Sequence, residues 1–339
     1  MALRADPSES TAAPPTVSFV TWYPSCRRSD TLAERLGGRS HLIHFFEFKQ
    51  PVYAPMKYVV QALVTFWRLY KDRPEVVFVA SPPVFAVCTV WAYAALFRIP
   101  FIIDAHTGVF DDPRWTWMTR VSQFLSRSAL ATIVTNRTLA AEVTRWGGHP
   151  VVIGDLPVRF PEVPASDLGA GFHVVVVNTF SQDEPLAEVI QAARLTPSIS
   201  FHITGSPRHS RNGWSGSLPP NARFTGWLSD EAYVGLLRGA DAVMSLTTHD
   251  HTMQRGGYEA MAVEKPLITS DWPLLRETFS RGTLHVDNSA QGIARAATRA
   301  RLEHKRLASA MTRLRRDRSM RFNQLIVDVQ QLIRKGTAS

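Results

Sequence analysis

Apolar residues along this chain fall into short runs that alternate with longer stretches of helical spacing. Residues 17–22, with Val17, Phe19, Val20 and Trp22, form a run of strand length, and residues 41–46 form a second. Over 55–71 the period changes. Met56, Val59, Val60, Leu63, Phe66 and Trp67 lie along one helical stripe, which Pro74 closes. Residues 76–80 read as a third strand, 84–97 as an apolar helix and 101–103 as a fourth strand. A helix over 115–130 and a strand over 131–135 continue the series. Strands alternating with helices predict a parallel sheet covered on both faces.

The pattern breaks at 155–171, where three prolines and two glycines replace the apolar runs. It then resumes, with strands at 172–177, 200–204, 223–224, 242–246 and 267–270 and helices near 186–194, 229–238 and 256–263. The expected layout is a loose tail at 1–15, a Rossmann-like domain at 16–158 and a linker at 159–171. A second Rossmann-like domain follows at 172–295, then basic amphipathic helices at 296–335.

Composition adds limits. A chain of 339 residues with 45% hydrophobic and 20% charged residues is long enough for two domains with ordinary cores. Cys26 and Cys88 are its two cysteines, which excludes a disulfide framework and fits a reducing cytoplasm. The first fifteen residues are polar and hold prolines, so they read as a tail and not as a secretory signal. The longest uncharged run, 76–97, is broken by Pro82 and Pro83, which suits a strand, a turn and a helix better than a membrane span.

The net charge of +9 is local. Residues 295–335 hold 12 of the 38 basic and 3 of the 29 acidic residues, which leaves 26 of each in the rest. Such a segment suits a solvated helix face, an anionic membrane surface or a pyrophosphate. No basic-aromatic platform or DNA-reading motif accompanies it, so nucleic acid is not an expected partner.

In open parallel sheets, ligands bind beyond the carboxyl ends of the strands. The loop after the strand at 242–246 is polar and runs into a helix start at Gln254, Arg255, Gly256 and Gly257. Its glycines allow close backbone approach to a ligand, and the helix amides favour an anion. Arg255 can bond a phosphate, and Glu259 can accept both hydroxyls of a ribose. In the first domain Arg27 and Arg28 follow the first strand, placed to meet a diphosphate or an acidic acceptor. Asp104 and His106 follow the fourth strand, where a carboxylate and an imidazole can orient an acceptor hydroxyl or take its proton. His249, Asp250 and His251 are consecutive and cannot all face one ion, so no metal is expected. No G-x-S-x-G or GxGxxG motif supports a serine hydrolase or an NAD enzyme.

Residues 201–279 resemble the donor half of family 4 glycosyltransferases, the bacterial exopolysaccharide and lipid-linked glycan type. Gly205 at a strand end, Thr225-Gly226-Trp227 with Ser229-Asp230-Glu231, and Ala240-Asp241-Ala242 match in order. The most specific part is Tyr258-Glu259-Ala260-Met261-Ala262 followed by Lys265-Pro266-Leu267-Ile268-Thr269-Ser270. The resemblance implies an α/β protein of the GT-B fold, two Rossmann-like domains facing a central cleft. It implies a nucleotide-sugar donor with its base near Gly205, Gly226 and Trp227, its ribose on Glu259 and its diphosphate on Arg255, Gly256 and Gly257. It implies no bound metal or other cofactor. Two features depart from the family. His251 stands where a first glutamate is usual, and residues 178–185 lack the usual arginine and lysine. His251 is then expected at the sugar.

The acceptor is expected to be a glycan or a lipid-linked hydroxyl. Tyr58, Phe66, Trp67 and Tyr70 alternate with Lys57, Arg68 and Lys71, and Arg114, Trp115 and Trp117 add to them, which suits peripheral contact with the inner face of a membrane. The alternatives are a non-catalytic sugar-nucleotide or glycan-binding protein, and an epimerase or phosphorylase on the same fold.

Overall fold

The computed structural model describes residues 16–45, 54–154, 156–207, 216–250 and 252–337. The chain divides into two compact units, one made of Met1–Leu156 with Phe322–Ser339 and the other of Pro157–Arg321.

The first unit holds strands β1 (Val17–Thr21), β2 (Arg39–Leu42), β3 (Val76–Ser81), β4 (Phe101–Ala105), β5 (Ala131–Val134) and β6 (Pro150–Val152). Helices α1 (Arg27–Arg35), α2 (Ala54–Asp72), α3 (Val84–Phe97), α4 (Gly108–Asp111), α5 (Pro113–Thr116), α6 (Thr119–Ser128) and α7 (Arg137–Arg145) connect them. All six strands are parallel, in the order β2-β1-β3-β4-β5-β6. Every residue of β1, β3, β4 and β5 is buried, as expected of strands covered on both faces. The helix expected at 115–130 is two helices, because the chain turns between Thr116 and Thr119.

Helix α2 departs most from its pattern. Met56, Val59, Leu63, Trp67 and Tyr70 are exposed, while Gln61, Thr65 and Leu69 are buried. The buried polar pair is bonded in part: Trp22 Nε1 donates to Thr65 Oγ1 at 2.9 Å and Gln61 Nε2 donates to the Ile43 carbonyl at 2.6 Å, while Gln61 Oε1 has no hydrogen-bond partner among the described residues.

The second unit holds β7 (Phe172–Val176), β8 (Ile199–Ile203), β9 (Ala222–Phe224), β10 (Ala242–Ser245), β11 (Leu267–Ser270) and β12 (Thr283–Val286). Its helices are α8 (Leu186–Leu195), α9 (Asp230–Gly239), α10 (Arg255–Ala262), α11 (Pro273–Thr278), α12 (Ala290–Leu302) and the start of α13 (His304–Thr337). The strands are again parallel, in the order β12-β11-β10-β7-β8-β9. This is the order of a dinucleotide-binding sheet, and it reverses between β7 and β10. Residues 159–171, expected as a linker, pack within this unit: Ser166 N–H donates to the Gly235 carbonyl at 2.9 Å, and Phe160 and Leu168 join the core around Leu237 and Phe279. Helix α13 places Leu307, Met311 and Leu314 in the second unit's core and Phe322, Ile326, Val329 and Ile333 in the first unit's.

Candidate functional site

The switch point of the second unit is formed by the loops that leave β7 and β10. Asp183, after β7, ties them together. Its Oδ2 accepts from Thr247 Oγ1 at 2.7 Å, and its carbonyl accepts from Thr248 N–H at 2.7 Å. Burial pushes the Asp183 carboxyl up, but the hydroxyls of Ser181 and Thr247 outweigh it and hold it below the usual range. Glu184 accepts from the Thr179 and Ser181 backbone N–H groups, and burial nevertheless holds its carboxyl high. Phe180 adopts a left-handed conformation at φ +62°, with its ring under Gly205 and 5.4 Å from that of Phe224.

Gly205 ends β8 at φ +84°, and a Cβ there would lie 2.7 Å from the Asn178 carbonyl. Gly205 pairs with Gly226, itself at φ +71°, and Trp227 beyond it is 84% exposed. The three expected base-side residues therefore lie together at the ends of β8 and β9.

Helix α10 starts at Arg255 after Gln254, whose Oε1 accepts from Ser245 Oγ at 3.0 Å. Glu259 is 5% exposed. Its Oε1 accepts from Arg255 Nε at 2.9 Å and its Oε2 from Tyr233 Oη at 2.5 Å. Burial, then Glu259 itself, push the Tyr233 hydroxyl far above its ordinary value, so it stays a donor. Tyr233 lies on α9 and was not found from the sequence, where nothing near position 233 signals a partner 26 residues away.

Gly256 and Gly257 have a further duty beside the one expected. A Cβ on Gly256 would sit 2.6 Å from Ser245 Oγ, and one on Gly257 would sit 2.4 Å from Phe279 Cζ. These glycines let α10 pack closely against β10 and the Phe279 ring, a packing duty that the sequence does not signal. His251 lies outside the described residues. Among the described residues no group of three or more His, Cys, Asp or Glu side chains is placed to hold a metal.

In the first unit Arg27 is exposed, whereas Arg28 is drawn inward. Arg28 Nε donates to both oxygens of Asp104 at 3.0 Å, and its Nη atoms donate to the Gly154 and Ile153 carbonyls at 2.8 and 2.9 Å. Arg28, expected at a diphosphate or an acceptor, is engaged in a structural tie: its guanidinium joins the start of α1 to the ends of β4 and β6. Asp104 is 3% exposed, and His106 Nε2 stands 3.8 Å from its Oδ2. Burial pushes the His106 imidazole down, but Cys26 and Asp104 outweigh it, and the net effect holds it above the ordinary histidine value. In return, burial raises the Cys26 thiol while His106 and Ser29 lower it further, so it lies below its ordinary value. Ser29 Oγ donates to Cys26 Sγ at 3.2 Å. The sequence pointed to Asp104 and His106 but not to Cys26.

Residues 184–333 match a family model described as glycosyl transferase-like. No match is found among curated proteins. Solved structures are similar over nearly the whole chain. The sucrose-phosphate synthase of Thermosynechococcus elongatus is 14% identical at a TM-score of 0.66, covering 96% of this chain and 99% of that one. A glycosyltransferase of Rickettsia africae is 11% identical at 0.62, covering 96% and 97%. HepE of Anabaena, solved in complex with UDP-glucose, is 15% identical at 0.59, covering 96% and 99%. The chain thus has the GT-B glycosyltransferase fold, with two parallel α/β units.

Proposed function

We propose that this chain transfers a sugar from a nucleoside-diphosphate donor to a hydroxyl acceptor. The observation that carries this reading is the Glu259 carboxylate in the first turns of α10, buried and held by Arg255 and Tyr233 beside the point where the strand order reverses. A buried, oriented carboxylate there suits the two hydroxyls of a ribose. Gly205, Gly226 and Trp227 would flank the base, while Gln254, Arg255 and the α10 amides would meet the diphosphate. That the similar HepE structure holds UDP-glucose supports a donor of this class.

In the reaction the bond from the anomeric carbon to the diphosphate oxygen breaks and one to the acceptor oxygen forms. Negative charge then grows on the leaving diphosphate, where Arg255 and the helix amides stabilise it. The acceptor hydroxyl loses its proton to His106, whose ring lies 3.8 Å from the Asp104 carboxylate. His251 would bond the sugar, and no bound metal or other cofactor enters the scheme. Arg27 is the remaining basic group for an acidic acceptor.

The acceptor class we favour is a glycan or lipid-linked hydroxyl at the inner membrane face. The outward apolar face of α2 supports it, with Arg68 and Lys71 stacked over the Trp67 ring at 5.7 and 5.5 Å. No helix among the described residues is long and apolar enough to cross a membrane.

The experiment is a thermal-shift screen against UDP-, GDP-, dTDP- and CDP-sugars without metal. One nucleotide family is expected to give a saturable shift that Glu259→Ala removes. No shift with any nucleotide would favour the non-catalytic reading, which the absence of basic residues from 178–185 supports.

A further inference from the structure

The excess positive charge of the second unit is concentrated in a groove of about 870 Å³ along its sheet edge. Strand β12 forms the floor and, among the described residues, ends the sheet with β11 as its one neighbour. One wall is the α12 face bearing Arg295 and Arg299, and the other is the α13 face bearing Arg306 and Arg313. Arg276 and Arg281 also line it, so six guanidiniums face two lining carboxylates, Asp271 and Asp287. Four of the six are ion-paired: Arg276 with Asp271, Arg281 with Asp317, and Arg299 and Arg306 with the one carboxylate of Glu303. Arg295 and Arg313 have no ion pair within 4.0 Å among the described residues. The Ser289 hydrogen bonds and then the charge of Arg295 hold the Asp287 carboxyl low, and Arg313 Nη1 donates to Ser309 Oγ at 2.9 Å.

The floor offers backbone as well as charge. Leu267 N–H donates to the Gly282 carbonyl at 3.0 Å and Asp271 N–H to the Val286 carbonyl at 2.7 Å. Even-numbered residues of β12 thus face β11, and strand alternation turns the N–H and C=O groups of Thr283 and His285 to the open side. His285 Nε2 is buried and has no hydrogen-bond partner among the described residues.

We propose that this groove binds an extended acidic segment of a partner protein, which adds as a strand to the free edge of β12 while its carboxylates meet Arg295 and Arg313. Strand groups on the floor with no ladder partner among the described residues select an extended backbone, and guanidiniums on both walls select carboxylates. A concave site floored by backbone fits a chain better than the flat surface of a bilayer. The proposal is independent of the donor reading, because the groove includes none of the residues assigned to the donor or the acceptor.

The test is fluorescence anisotropy with the whole protein and a labelled alternating Glu-Val decapeptide, run beside a Glu-Pro decapeptide of equal charge whose proline positions donate no N–H and disfavour strand pairing. The Glu-Val peptide is expected to bind saturably and at least about tenfold more tightly than Glu-Pro, and more weakly as salt rises. R295E/R313E should weaken it at least about tenfold, and R295Q/R313Q should do so in part. R120E/R137E, an equal charge change on exposed residues elsewhere, should leave it within about twofold. Four results would overturn the proposal: no saturable binding, equal binding of Glu-Pro, equal loss in both reversed variants, or loss of phosphatidylglycerol vesicle binding in R295E/R313E without competition from the peptide. Parallel melting curves with and without peptide keep folding separate from binding, and the glutamine pair decides if the reversed pair fails to fold.

Discussion

Arg28 and Asp104, 76 residues apart in sequence, meet through an Nε–H that lies 3.0 Å from both carboxylate oxygens. Both side chains are nearly closed to solvent, at 12% and 4% exposure. The remaining bonds of Arg28 reach the carbonyls just past β6, so one guanidinium fastens the ends of three elements. A buried pair of this kind contributes little relative to an apolar pair, but removing one member strands the other.

Arg28→Ala is therefore expected to cost about 3–5 kcal/mol in urea unfolding, because Asp104 and two carbonyls lose their donors together. Arg28→Lys should recover part of this, since an ammonium can pair with Asp104 but not span the carbonyls as well. A loss under about 1 kcal/mol for Arg28→Ala would show that the pair is dispensable.

His106 leads to a prediction in pH. Its folded value lies above the ordinary 6.5, with Cys26 and Asp104 as the raising partners. A raised imidazole contributes stability that is fully present below about 6.5 and is lost as pH rises through the folded value. As the proposed proton acceptor it acts when neutral, so transfer should fail on the acid side at a midpoint above 6.5. Cys26→Ala removes one raising partner and should move both that midpoint and the NMR titration of the His106 ring to lower pH. An unchanged ring titration in Cys26→Ala would break the link.

The face of α2 gives a third expectation. Leu63 and Trp67 are 66% and 57% exposed, so Leu63→Glu and Trp67→Glu should leave the melting temperature almost unchanged. Sedimentation with phosphatidylglycerol vesicles should nevertheless fall by roughly tenfold in the double variant, because the apolar anchor is lost and two negative charges are added. Equal binding by wild type and variant would move the membrane contact elsewhere.

Much of the fold was legible because its strands are short unbroken apolar runs. The boundaries expected for the strand at 267–270 and the helix at 84–97 coincide with β11 and α3. Helix α7 was missed because it buries only Val143, and β6 because its three residues begin with proline. Periodicity placed α2 but could not say which stripe turns inward, since the buried side is marked by Gln61 and Thr65. At the candidate site Glu259 could be read from its place after the helix start, and Gly205 came from the family resemblance. Tyr233 and the Arg28–Asp104 pair could not, because packing alone brings them together.

Gly257 separates a packing role from a ligand role. Phe279 is fully buried, and its ring occupies the space an alanine methyl would need. Gly257→Ala should cost about 1–3 kcal/mol by overpacking. Phe279→Leu made in the same chain should return part of that loss, giving a favourable coupling in a double-mutant cycle. Additive losses would mean that the glycine is required for another reason.

Tyr233 offers the sharpest test of the donor reading, because it holds the carboxylate oxygen that a ribose would also use. Tyr233→Phe removes the donor to Glu259 Oε2 and leaves that buried oxygen without its hydroxyl, at an expected cost of about 1–2 kcal/mol in the free protein. A bound ribose would supply the missing donor, so the nucleotide-induced thermal shift should be equal to or larger than that of wild type. Glu259→Ala should lose the shift altogether, and Glu259→Gln should weaken it, because an amide offers one acceptor oxygen where the carboxylate offers two. If Tyr233→Phe and Glu259→Ala both abolish the shift, the pair acts by shaping α9 against α10, and the ribose must be held by other groups.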